Sequence, residues 1–222
     1  TPGIMQNIPI HREQVESVIK HDAIQAVSLT GSSGAGSAVA SLAASQIKPA
    51  VLELGGSDPS LVFADADIDA AVETLVISRI INAGQSCIAA KRLIVMDSVY
   101  DEFVDKLKGK LAQLKMGDPA ETSTQVGPIA RADLREGLHR QVQMTIDQGG
   151  KCLLGGEMPD GPGFFYPVTL LVDVTPDMQA SCEETFGPIA VVMKVTSEDE
   201  AMQIANDTPY GLAASIWTAD VD

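Results

Sequence analysis

Two short runs, Ala26-Val27-Ser28-Leu29-Thr30-Gly31-Ser32 and Ala50-Val51-Leu52-Glu53-Leu54-Gly55-Gly56, bracket a stretch of small and apolar residues. The first reads as a strand over 26–29 and the stretch between them as a helix over 35–47. The second reads as a strand over 50–54, stopped by the glycine pair. Together they make a β-α-β unit. Helical and strand periods keep alternating downstream, which is the pattern of an α/β protein with parallel-rich sheets covered by helices. A helix end over 13–20 precedes the unit. After it come a strand over 60–63, a helix from Asp67-Ile68-Asp69 to about 82, and a strand over 92–96. Acidic residues suit the start of that helix. Helices over 99–114 and 130–148 follow, the former with apolar Phe103, Val104, Leu107, Leu111 and Leu114 at helical spacing. A strand over 151–154 leads into a Gly/Pro-rich, hairpin-like stretch over 155–167. The rest reads as strand (168–172), loop (175–188), strand (189–195) and helix (198–206). An apolar stretch over 213–217 reads as a strand with no partner after it. Composition turns from Ser/Gly-rich to Asp-rich and amphipathic at Gly55-Gly56, the best boundary in the chain.

The 222 residues suffice for one large or two small domains. Fifteen Lys and Arg against thirty Asp and Glu give a net charge of −15, which repels phosphate backbones and anionic bilayers and argues against nucleic-acid or membrane partners. A hydrophobic content of 45% with 20% charged residues excludes disorder. No apolar run reaches the ~18 residues of a membrane span. Thr1-Pro2-Gly3 shows no basic-then-apolar leader, and there is no starting Met. The three cysteines, Cys87, Cys152 and Cys182, are too few and scattered for a disulfide framework or a zinc site, so no metal is expected and the default setting is reducing and cytoplasmic.

Cys87 follows a long apolar helix through a Gly84-Gln85 break and precedes two cations, Lys91 and Arg92. Thiolate is the reactive form, and neighbouring cations favour it, so Cys87 is a candidate nucleophile. The same features also suit a small buried cysteine in a helix-to-strand turn. Cys152 sits in an apolar strand and Cys182 beside Glu183 and Glu184, so both read as structural. Glu53 ends an apolar strand where parallel sheets present ligand sites, and partial burial would tune it as a general base; the other reading is a solvated strand end. Thr30-Gly31-Ser32-Ser33-Gly34 runs from strand to helix, where backbone N–H groups can receive a phosphate. Continued through Ala35-Gly36 it is still not a G-x-G-x-x-G, because Gly34-x-Gly36 is followed by Val39 where the third glycine belongs, and it suits a plain Ser/Gly turn equally. Glu183-Glu184-Thr185-Phe186-Gly187-Pro188 offers a carboxylate for a ribose diol and a phenyl edge for a flat ring, or simply a turn with solvated glutamates. His11, His21 and His139 read as solvated.

In order and separation, Leu29-Thr30-Gly31-Ser32, Glu53-Leu54-Gly55-Gly56, Gly84-Gln85-Ser86-Cys87 and Glu184-Thr185-Phe186-Gly187-Pro188 resemble four motifs of the aldehyde dehydrogenase superfamily. Leu114-Lys115-Met116-Gly117-Asp118-Pro119 and Tyr210-Gly211-Leu212 look most like its succinate-semialdehyde dehydrogenase branch. The resemblance implies NAD or NADP as cofactor, a small aldehyde as substrate, Cys87 as nucleophile and Glu53 as base for hydrolysis of a thioester. It implies cofactor contacts at Gly31, Ser32, Leu54, Glu184 and Phe186, with residues 1–54 the end of a dinucleotide-binding domain and 55–222 a catalytic domain. A homo-oligomer, dimer or tetramer, is implied for the parent. The family's chains are roughly twice this length, so a fragment lacking the upstream cofactor strands and a downstream segment is expected. Two alternatives stand beside this reading: an acylating enzyme that uses coenzyme A, and a non-catalytic piece keeping only the fold.

Overall fold

A computed structural model of the chain describes residues 3–220; Thr1, Pro2, Val221 and Asp222 lie outside it, and with them most of the leader reading. Two compact units meet in sequence between Gly55 and Gly56.

The first unit carries a 3-10 turn, α1 (Val15–Lys20), β1 (Val27–Thr30), α2 (Ser33–Ser45) and β2 (Ala50–Glu53). β1 and β2 pair in parallel from Val27↔Ala50 to Thr30↔Glu53. α2 starts two residues before the expected 35 because Ser32 caps it, its hydroxyl accepting the Ala35 N–H at 3.3 Å. Lys48 reaches back to donate to the Ile19 and His21 carbonyls at 2.6 and 2.8 Å, closing the end of α1.

The second unit carries β3 (Pro59–Val62), α3 (Ile68–Ile80), β4 (Arg92–Met96), α4 (Asp97–Leu111), α5 (Ala132–Asp147) and β5 (Lys151–Leu154). Then come β6 (Thr169–Val172), α6 (Gln179–Cys182), β7 (Ile189–Val195), α7 (Glu198–Asn206) and β8 (Ser215–Trp217). The sheet order is β5-β6-β7-β4-β3-β8, with β5 antiparallel to β6 and the other neighbours parallel. Alternation along buried strands splits the core into two layers. Leu93 and Val95 of β4 and Val192 of β7 join Val72, Leu75, Phe103 and Leu107 of α3 and α4 on one face. Ile94, Val191 and Met193 join Leu138 and Val142 of α5 and Ile204 of α7 on the other.

The stretch at 213–217 holds the expected strand, and Ser215–Trp217 pairs with the earlier β3 at the sheet edge. Two expectations change. The loop at 175–188 holds the short helix α6, too brief to show a period in sequence. His139 is half-buried and its Nδ1 lies 3.1 Å from the Tyr166 hydroxyl, so it is packed and not solvated. Asp67 caps α3 by accepting the Ala70 N–H at 3.0 Å. Asp67→Ala is expected to lower stability by about 1 kcal/mol, measured as a shift of the urea midpoint with an unchanged slope.

Candidate active site

The turn that carries Cys87 begins with backbone few residues adopt. After α3 the chain passes through Asn82, Ala83 and Gly84 with φ of 52°, 55° and 75°. Asparagine and glycine tolerate the left-handed region; buried Ala83 does so at a cost of about 1–3 kcal/mol. Such strain persists where the surroundings over-determine the backbone, and here Gln85 does part of that. Its Oε1 accepts the Ala130 N–H at 2.8 Å and its Nε2 donates to the Asn82 carbonyl at 3.2 Å.

Cys87 itself is half-buried. Its carbonyl accepts a 2.8 Å hydrogen bond from Lys91 Nζ, which also donates to the carbonyls of Ser86 at 3.0 Å and Ala89 at 3.4 Å. Arg79, buried at the end of α3, donates through Nη2 to Gly84 at 2.7 Å and Thr185 at 3.3 Å, and through Nη1 to Ala90 at 3.3 Å. One guanidinium thus fastens the Cys87 turn to the segment that carries Glu184. Glu184 Oε1 lies 3.4 Å from Lys91 Nζ and accepts the Gly56 N–H at 3.2 Å. Glu184 is therefore held and mostly buried, whereas Glu183 is exposed.

Burial pushes the Arg79 guanidinium down to about 10, against the pull of Glu184, so it stays cationic at neutral pH. Burial, with Arg79 alongside, also lowers Lys91, and Glu184 and Asp58 pull it back. Arg92, the second cation after Cys87, is committed elsewhere: it donates to Ser57 at 2.9 Å and to Ile204 and Ala205, at the end of α7, at 2.8 and 3.0 Å.

A cavity of about 370 Å³ lies against α5, with Leu134, Gly137 and Gln141 on one side and Glu184 and Phe186 on the other. Gln141 Nε2 donates to the Glu184 carbonyl at 3.2 Å and so fixes that wall. Its polar rim and aromatic edge suit a ribose beside a flat ring.

In the first unit, the Gly31 N–H donates to the Glu53 carbonyl at 2.9 Å, bringing the Gly31-Ser32 turn and the end of β2 side by side. The first turn of α2 carries no acidic residue of its own, and its N–H groups and dipole suit a phosphate. Gly36 lets α2 close on Leu54: a Cβ there would come within 2.6 Å of the Leu54 side chain. Leu54 is thus a packing partner of the helix. Glu53 is exposed, and the expected partial burial is not found. Glu53 belongs to the first unit and Cys87, Glu184 and Phe186 to the second.

Cys152 is half-buried, its Sγ 3.2 Å from the Leu154 carbonyl, and burial pushes its thiol up. Cys182 is exposed, so packing does not explain it; burial of part of the thiol, then Asp177, Asp207 and Glu183, push it up. Among the described residues no group of three or more His, Cys, Asp or Glu could hold a metal ion, and no helix is long and apolar enough to cross a membrane. Arg79, Gln85 and the tie from Lys91 to Glu184 were missed in the sequence. The available signal was an arginine closing an apolar helix and an amide among small residues.

The fold is parallel-rich α/β, with a cysteine turn stitched to an acidic-aromatic segment. The aldehyde dehydrogenase family model matches residues 2–222, and the chain belongs to that family. It is 47% identical over 220 residues to a succinate-semialdehyde dehydrogenase (NADP(+)) of Deinococcus radiodurans, covering 99% of this chain and 46% of that protein. It is 45% identical over 218 residues to the enzyme of the same name from Mycobacterium avium, covering 98% and 46%. Among solved structures, succinic semialdehyde dehydrogenase from Streptococcus pyogenes in complex with NADP+ superposes with a TM-score of 0.91 at 37% identity, over 95% of this chain and 46% of that one. Lactaldehyde dehydrogenase from Escherichia coli gives 0.90 at 38%, over 93% and 43%. The chain spans less than half the length of the relatives it matches.

Proposed function

We propose that the chain serves NADP-dependent oxidation of succinate semialdehyde to succinate, with Cys87 as nucleophile and Glu53 as general base. The observation that carries this reading is the stitching of the Cys87 turn to the Glu184-Phe186 wall by Arg79 and Lys91, beside a cavity of dinucleotide-fragment size. The identity of the aldehyde and the preference for NADP come from the relatives.

The unit ending at Gly55 would contribute the phosphate-facing turn, Gly31 and Ser32, with Leu54 backing the helix. The unit from Gly56 would contribute the nucleophile, with Glu184 toward the nicotinamide ribose and Phe186 limiting the ring. When bound, the nicotinamide supplies a two-electron hydride acceptor. The chemistry of this chain's own residues starts with the Cys87 thiolate, whose sulfur forms a bond to the aldehyde carbon and leaves an oxyanion for N–H donors, the Cys87 amide among them. Loss of hydride leaves an acyl group on sulfur. Glu53 then takes a proton from water, hydroxide adds to the thioester carbon, and the C–S bond breaks to release the acid and the thiolate. A homo-oligomer is proposed on the resemblance alone.

The test is to supply the purified protein with succinate semialdehyde and NADP+ and follow NADPH and succinate. Formation of both without coenzyme A is the expected result. Turnover only when coenzyme A is added would establish the acylating alternative, and neither product would overturn the assignment.

A further inference from the structure

We infer that Lys91 is a positioning residue for the nucleophile, tying the Cys87 turn to the Glu184 carboxylate so that a change at Glu184 is felt at Cys87. The inference rests on the proposed function, in which Cys87 attacks and Glu184 faces the cofactor.

The Lys91 side chain is 1% exposed, and its Nζ touches both groups: the Cys87 carbonyl at 2.8 Å and Glu184 Oε1 at 3.4 Å. The remaining acceptors, Ser86 and Ala89, belong to the same turn. An ammonium taken this far out of water needs a counter-charge as well as carbonyl dipoles. Glu184 supplies it at ion-pair distance; Asp58 helps from further away and Arg79 opposes it. If the carboxylate is neutralised or moves toward a ligand in the cavity, Lys91 must re-optimise against the acceptors it keeps, and all three lie in the turn that presents the Cys87 sulfur. The lysine stem spans the space between the two segments, so contact passes through one atom. Arg79 makes a parallel tie, but to backbone carbonyls only, and does not sense the Glu184 charge by contact.

A double-mutant cycle on Cys87 reactivity tests this in the full chain without cofactor. Iodoacetamide alkylation of Cys87 and Cys152 is followed by peptide mass spectrometry in wild type, Glu184→Gln, Lys91→Met and the double variant. Glu184→Gln is expected to change the Cys87 rate at least about threefold when Lys91 is present and less than about 1.5-fold in the Lys91→Met background, with Cys152 unchanged throughout. An equal factor in both backgrounds would overturn the inference while leaving the nucleophile assignment standing. A wild-type Cys87 that reacts no faster than Cys152 would overturn both. Lys91→Gln keeps a donor for the carbonyls and removes the charge; it replaces Lys91→Met if that variant does not fold, and is held to the same outcomes.

Discussion

Gly84→Ala is expected to cost more than about 3 kcal/mol of stability, beyond the usual range for a surface turn, because two penalties combine at one atom. The backbone there has φ of 75°, where a β-carbon is strained by about 1 kcal/mol. The added Cβ would also collide with the carbonyl group of Gly187 and the nitrogen of Pro188. These are backbone atoms, so no rotamer relieves the clash. Relief requires moving apart the Cys87 turn and the Glu184-to-Pro188 segment, which Arg79 and Lys91 hold together. Urea unfolding followed by circular dichroism checks the stability. Iodoacetamide labelling of folded Gly84→Ala protein is expected to show altered Cys87 reactivity with Cys152 unchanged. A loss below about 1 kcal/mol would mean that the close approach of the two segments is not required.

The second large effect is on chemistry. Glu53→Gln keeps the size and hydrogen-bonding ability of the side chain and removes its capacity to accept a proton. If Glu53 activates the hydrolytic water, steady-state acid production is expected to fall by about 10²–10⁴. Acyl transfer to Cys87 would persist, so a single equivalent of NADPH should appear as a burst and a succinyl adduct should accumulate on the Cys87 peptide. Loss of the burst together with turnover would assign Glu53 to an earlier step, and unchanged acid production would remove it from the mechanism. Glu53 is exposed, so desolvation within its own unit does not tune it, and a role as base would rest on position.

Much of the fold is legible because buried parallel strands declare themselves as apolar runs: β4 and β7 coincide with the apolar runs Arg92–Met96 and Ile189–Val195, and α7 with the amphipathic pattern over 198–206. The Gly/Pro-rich stretch over 155–167, expected to be hairpin-like, holds no strand of its own and joins β5 to its antiparallel neighbour β6. What was hidden depends on tertiary partners. The left-handed turn at Asn82-Ala83-Gly84 leaves no mark that local propensity records, since alanine there contradicts the preference of the site. Arg79 is buried against the carbonyls of Gly84, Ala90 and Thr185, the last 106 positions away, a partnership no local pattern around an arginine at a helix end marks. The placement of the site was also unexpected. Glu53 sits at the carboxyl end of a parallel strand, as open sheets lead one to expect. The Cys87 turn, Gly56 and the Glu184 segment instead lead into β4, β3 and β7 and gather at the amino edges of those strands. Within the second unit these three segments meet because β7, β4 and β3 are neighbours in its sheet.

The most direct measurement of the central claim is the alkylation rate of each cysteine in the native protein, read peptide by peptide, with and without NADP+. Cys87 is expected to react at least about tenfold faster than Cys152 and Cys182, and to change rate when NADP+ is added. Equal rates at all three, unaffected by NADP+, would contradict the claim that this sulfur is the nucleophile of a dehydrogenase.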